Sequence, residues 1–150
     1  MSRLVEERVV VDAPRSAIWG LLDDPRALAR VLPGAEDLVP DGEGRWRGTL
    51  ASKVGFLTVR ADATAEVAES HPPDDMRLEI DGRPKGLAGS FHASIPFRLE
   101  ELDDRTAIDY SVDLTVTGRL AAFGAPILRD TLRKQVAQLV ANLGRELGTG

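Results

Sequence analysis

No cysteine occurs in the 150 residues, which excludes disulfides, thiolate metal ligands and a cysteine nucleophile and leaves the redox compartment open. Histidine is scarce. His71 precedes Pro72-Pro73, a loop signal, and His92 falls on the polar side of an alternating run; neither has a second ligand at metal-binding spacing. No segment approaches the ~20 apolar residues of a membrane span, and Met1-Ser2-Arg3-Leu4-Val5-Glu6-Glu7 lacks the apolar core of a secretion signal. Positive charge is also in short supply. Nineteen Lys and Arg against 24 Asp and Glu leave a net charge of −5, which argues against nucleic acid as a partner. What remains is 43% hydrophobic and 29% charged, the composition of one globular domain, 1–150, expected in the cytoplasm.

The strongest pattern is at the C-terminus. From Gly118 to about Leu147 the residues Leu128, Leu132, Val136, Leu139, Val140, Leu143 and Leu147 recur at spacings of three and four, one apolar stripe of an amphipathic helix. Asp130, Arg133, Lys134, Gln138, Asn142 and Arg145 take the other side. From Pro126, a good first-turn residue, the regular part spans roughly 33 Å at ~1.5 Å per residue. The segment before it, Leu120 to Ala125, is apolar almost all round, and Gly124 beside Pro126 predicts a bend or a separate first turn.

At the start, Leu4 to Val11 reads as a strand ended by Asp12-Ala13-Pro14, with Asp12 as N-cap of the next helix. Ser16 to Leu22 makes that short helix, Asp24-Pro25 restarts a second through Val31, and Pro33-Gly34 stops it. Five segments then alternate with a period of two. Trp46, Gly48, Leu50, Ser52 and Val54 oppose Arg45, Arg47, Thr49 and Lys53, and Leu57, Val59, Ala61, Ala63, Ala65 and Val67 oppose Thr58, Arg60, Asp62, Thr64 and Glu66. Met76, Leu78 and Ile80, then Phe91, Ala93, Ile95, Phe97 and Leu99, then Ile108, Tyr110, Val112, Leu114 and Val116 form the other inward rows. With Leu4–Val11 and a short piece near Leu38 this predicts an α+β domain. About seven strands make an antiparallel meander, one face solvated and the other wrapped around the long C-terminal helix, with two short helices after strand one.

Small residues crowd the inward rows: Gly48, Ser52, Ala61, Ala63, Ala65 and Ala93. Either the helix comes down on those alanines or a cavity remains between them. Candidate lining residues are Leu50, Val59, Ala61, Ala63, Leu78, Ile80, Phe91, Ala93, Tyr110, Val112, Phe123 and Ile127. Counting strand directions brings four glycine-bearing connections to one end, with an apolar rim of Leu32, Pro33, Val54, Phe56, Leu87 and Leu120 as the expected mouth and Lys53, Arg83 and Lys85 beside it.

Catalytic chemistry finds no constellation. Asp23-Asp24, Asp74-Asp75 and Asp103-Asp104 stand at turns, where carboxylates cap and solvate. Gly82, Gly86 and Gly89 have the wrong spacing for a dinucleotide loop and join two strands. Inward polar groups are Trp46, Ser52 and Tyr110, and alternation sends one of Glu7 and Arg8 inward without saying which. No catalytic residue and no metal ligand is assigned.

Several of these segments carry a resemblance. Asp12-Ala13-Pro14 with Trp19, then Leu32-Pro33-Gly34-Ala35-Glu36, Lys53-Val54-Gly55, and Gly82 through Gly89-Ser90 resemble, in order and spacing, the family of the G subunit of carbon monoxide dehydrogenase, within the START-like helix-grip (SRPBCC) superfamily. The resemblance implies a helix-grip domain whose hydrophobic cavity binds a quinone or lipid noncovalently. It further implies an accessory of molybdenum hydroxylases such as carbon monoxide dehydrogenase, with transient contact at the inner face of the membrane. Many members continue into a linker and an apolar tail where this sequence ends at Gly150, so a direct anchor is not expected. A noncatalytic binder is therefore the expected function. The alternatives are a small enzyme of the same fold, polyketide cyclase- or hydratase-like, and an interaction module with a filled core.

Overall fold

The computed structural model describes residues 2–147. Strand β1 (Ser2–Val11) is followed by helices α1 (Arg15–Leu22) and α2 (Pro25–Val31), then by six strands: β2 (Ala35–Pro40), β3 (Arg45–Val54), β4 (Leu57–His71), β5 (Asp75–Pro84), β6 (Gly89–Leu102) and β7 (Arg105–Gly118). A 3-10 turn (Arg119–Phe123) leads into helix α3 (Ala125–Glu146). All pairings are antiparallel, in the order β1-β7-β6-β5-β4-β3-β2. Strands β2 to β7 are a meander of neighbours, while β1 pairs the seventh strand, from Ser2↔Leu114 to Val11↔Thr106.

The local signals act mostly as expected. Asp24 caps α2 by accepting from the Arg26 amide at 3.0 Å, with Pro25 in the first turn. Gly124 (φ 85) separates the 3-10 turn from α3. Asp12 is a correction, because α1 has Pro14 at its cap position with no side-chain hydrogen bond. Gly82 is another: β5 runs through it to Pro84, and a Cβ there would lie 2.2 Å from Cζ of Phe91, whose ring covers it. At Gly48 a Cβ would meet Leu38 Cα at 2.7 Å, because the irregularity between Glu36 and Val39 tips β2 over β3.

Three apolar clusters surround the helix rather than one continuous core. Leu143 packs with Leu28, Val31, Trp46 and Ala65; Leu132 and Val136 lie against Val5, Ala93, Tyr110 and Val112; Val140 joins Val11, Ile18 and Leu99. The indole of Trp46 donates to the Pro25 carbonyl at 2.9 Å, tying α2 to the sheet. That hydrogen bond uses the Trp46 N–H, so Trp46 is not a polar group available to a ligand. Helix α3 is fully buried only at Leu128 and Leu143. Between those two points its inward side chains Leu132, Val136, Leu139 and Val140 are half-buried. A helix clamped near both ends and partly accessible along its inward side stands off the sheet between the clamps.

Candidate ligand cavity

The space under the middle of α3 is a cavity of about 300 Å³. Its roof is Leu132, Val136, Leu139 and Val140; its walls include Leu50 and Val54 of β3, Val59 and Ala61 of β4, Leu78 and Ile80 of β5, Phe91 and Ala93 of β6, and Tyr110 and Val112 of β7; Ile18, Leu22 and Leu28 come from α1 and α2. Alternation explains the walls, since every second residue of a strand faces the helix. Ala61 and Ala93 make room where branched side chains would fill it. No Asp, Glu, Lys, Arg or His is among the lining residues.

Ten of the twelve lining candidates are inward-facing strand residues, and nine of those meet there: Leu50, Val59, Ala61, Leu78, Ile80, Phe91, Ala93, Tyr110 and Val112. Ala63 does not. It is buried, 5% exposed, but is paired with Gly48 and Gly82, whose inward sides are covered by Leu38 and the Phe91 ring. Phe123 and Ile127 also lie outside the lining. The break at Gly124 turns Leu120 into the interior and leaves Phe123 half-exposed and Ile127 39% exposed.

Of the expected rim, Leu32, Pro33, Val54 and Leu120 border the cavity, whereas Phe56 and Leu87 do not. Phe56 stands at the tip of the β3–β4 turn, 95% exposed; Leu87 is half-buried in the β5–β6 turn. The four connections do come to one end, as the pairs Val54↔Leu57, Ala35↔Leu50, Ala61↔Pro84 and Gly89↔Gly118 show.

Polar side chains stitch α3 down on both flanks. Toward β3, Thr131 donates to the Lys53 carbonyl at 3.2 Å and the Gln135 amide to Ser52 Oγ at 2.6 Å. Toward β1, Arg129 donates to the Leu4 carbonyl and Arg133 to the Glu7 carboxylate, at 2.9 and 2.8 Å. Glu7 is therefore the inward member of its pair. Arg8 points outward and binds Asp109 and Glu100. Glu7 is directly opposite Tyr110, and burial, followed by the Glu7 carboxylate, raises the Tyr110 pKa. Gln135 and Thr131 were not legible as lining residues. Their signal, a polar i, i+4 pair bordering the apolar stripe, is common on any amphipathic helix.

A larger hollow of about 700 Å³ lies on the outer sheet face among Thr49, Thr64, Asp81, Arg83 and His92. It is an open trough whose charges are largely matched within the protein: His92 contacts Asp81 at 2.7 Å and Glu79 at 3.3 Å, and Lys85 contacts Asp62 at 3.4 Å. The apolar cavity is the better ligand site, because its lining is almost wholly apolar whereas that of the trough is polar and charged, and removing apolar surface from water is what makes apolar binding favourable. Among the described residues no cluster of potential metal ligands occurs, and no helix is long and apolar enough to cross a membrane.

Comparison with known proteins places this geometry. The family model for the G subunit of carbon monoxide dehydrogenase (CoxG) matches residues 8–148. A conserved protein of Geobacillus kaustophilus is similar with a TM-score of 0.85 at 22% identity, over 94% of this chain and 92% of that one. An aromatase/cyclase of Streptomyces sp. R1128 is similar with a TM-score of 0.66 at 18% identity, over 96% and 92%. A protein of Thermus thermophilus has a TM-score of 0.65 at 15% identity, over 95% of each. No curated protein matches by sequence. At these identities the solved structures establish a shared helix-grip fold.

Proposed function

The chain belongs to the CoxG family, that of the carbon monoxide dehydrogenase G subunit, and on that premise we propose that it is a noncatalytic binder and carrier of an apolar small molecule, an isoprenoid quinone or a similar lipid. Its place is as a cytoplasmic accessory that links a molybdenum hydroxylase of the carbon monoxide dehydrogenase type to the membrane quinone pool by transient contact. The observation that carries this reading is the cavity: about 300 Å³ of space lined mostly by apolar side chains and by no charged ones. That volume is at the lower end of the ~300–1,000 Å³ typical of small-molecule sites. An apolar ring or short chain entering it loses its hydration without uncovering an unpaired charge.

Phe56, Leu57 and Ile127, exposed together at the end where Val54 and Leu120 border the cavity, suit the exit of a ligand into an apolar acceptor. A cyclase-like enzyme requires acid–base groups at the reacting carbon; here the Glu7–Arg133 pair is outside the lining and largely committed to itself.

The test is organic extraction of the protein purified from its host, followed by mass spectrometry. A near-stoichiometric quinone or lipid is expected. Protein that carries no organic molecule and takes none up from vesicles would overturn the reading.

A further inference from the structure

Four polar side chains, Ser52, Tyr110, Thr131 and Gln135, line the cavity, and they are not equivalent. Gln135 donates to Ser52 at 2.6 Å, and Thr131 donates to the Lys53 carbonyl at 3.2 Å; these three groups are engaged in holding α3 against β3. Tyr110, on the opposite flank, is the single ionisable side chain in the lining. It is 8% exposed and directly across the β1–β7 ladder from Glu7. Glu7 is held in an ion pair by Arg133 at 2.8 Å. An ionised carboxylate can only accept hydrogen bonds. With the Glu7 carboxylate across the ladder as a neighbouring acceptor, the rotatable O–H of Tyr110 has a partner to turn to, an orientation that would leave the lone pairs of its oxygen toward the cavity. Donation to an anion also makes that oxygen a stronger acceptor, since hydrogen bonds in a chain polarise one another.

We infer that Tyr110, oriented by Glu7 and Arg133, selects ligands that carry a hydroxyl donor, such as phenols, hydroquinones and alcohols, over counterparts that offer only a carbonyl or ether oxygen. The inference rests on the proposed binding role of the same cavity and adds its polar preference. A donor meets the free lone pairs of Tyr110. An acceptor-only oxygen meets those lone pairs with its own and gains no hydrogen bond on leaving water, which costs affinity.

The probes are para-octylphenol and its methyl ether, a redox-inert pair of similar shape, with dissociation constants measured by calorimetry on the whole chain. Partition into an apolar medium favours the ether, so any preference for the phenol must come from a specific hydrogen bond. The wild-type protein is expected to bind the phenol roughly 10-fold more tightly, the value of one hydrogen bond of ~1.4 kcal/mol. Tyr110→Phe should equalise or reverse the order while leaving ether affinity within about 2-fold. Glu7→Gln should shrink the ratio, and Ser52→Ala should leave it unchanged. Equal binding of both probes by the wild type would overturn the selectivity and leave the binding role standing. A preference abolished by Ser52→Ala but not by Tyr110→Phe would overturn it too, placing the polar subsite on the β3 flank. Failure of both probes to bind would remove the binding role and this inference with it.

Discussion

Two alanines that look alike in the sequence should respond in opposite directions to the same substitution. Ala93 lines the cavity; Ala63, two strands away, is buried between positions closed by Leu38 and the Phe91 ring. In Ala93→Phe the new ring enters open volume. If it occupies roughly a third of the space, then at ~24 cal/mol per Å³ of cavity removed it returns about 2 kcal/mol, offset in part by the ordering of the ring. At ~2–4 °C per kcal/mol for a chain of this size, the melting temperature should hold or rise by several degrees. In Ala63→Phe the same ring has no volume to enter. Overpacking costs about 1–3 kcal/mol, and the protein should melt roughly 2–12 °C lower. Thermal unfolding followed by circular dichroism reads the first quantity, and uptake of an apolar fluorescent probe the second. Ala93→Phe should lose uptake at full stability. If both variants melt low together, or if Ala93→Phe takes up probe like the parent, the space under α3 is not a ligand site.

Leu143→Ala should destabilise by about 2–5 kcal/mol in denaturant titrations, since Leu143 is buried against Leu28, Val31 and Trp46 at the clamped end of α3; a loss below about 1 kcal/mol would mean the clamp is elsewhere. Trp46→Phe removes the hydrogen bond to the carbonyl of Pro25, an exposed residue that water can reach, and should cost about 0.5–1.5 kcal/mol; an unchanged midpoint would show that the bond does not hold α2 to the sheet. Phe56→Ser should leave the melting temperature within about 1 °C, because that ring packs on nothing, and should slow transfer of a bound probe to vesicles; an unaltered transfer rate puts the exit at another face. His71 lies 2.7 Å from Asp75, and that partner raises its pKa above the ordinary 6.5. The contact therefore contributes fully below the unfolded pKa and is lost as pH rises through the folded one. An NMR titration should show the raised midpoint return to about 6.5 in Asp75→Asn, and a parent midpoint already at 6.5 would refute the pairing.

The architecture was legible because one side of the sheet is wet. A solvated face forces charges onto alternate positions, and the inward rows stand out by subtraction, from Trp46 through Val116. Nine lining residues came from that alternation alone. Ala63 could not be read that way: its neighbours on the inner face are covered by β2 tipping over Gly48 and by the Phe91 ring lying on Gly82, contacts set by the twist of other strands. The choice between Glu7 and Arg8 was hidden by the irregularity between Arg3 and Val5, which shifts the parity of β1 relative to its first residues. Phe123 and Ile127 depend on the direction in which the chain leaves Gly124. No periodicity reports that direction.

The pairing of β1 with β7 has a consequence for how the molecule is made. Translation delivers β1 ahead of the other six strands, yet its partner Thr106 emerges, at about 5–20 residues per second, on the order of 5–20 s later. During that interval β2 to β6 can zip into local hairpins in order of synthesis, while β1 has no neighbour. The apolar inner face waits longer still, because α3, which roofs it, follows all seven strands in the chain. Closure by distant partners is a slow, high-contact-order event. The nascent chain therefore exposes a half-built apolar trough and an unmated valine-rich strand for seconds, an ideal substrate for a holdase.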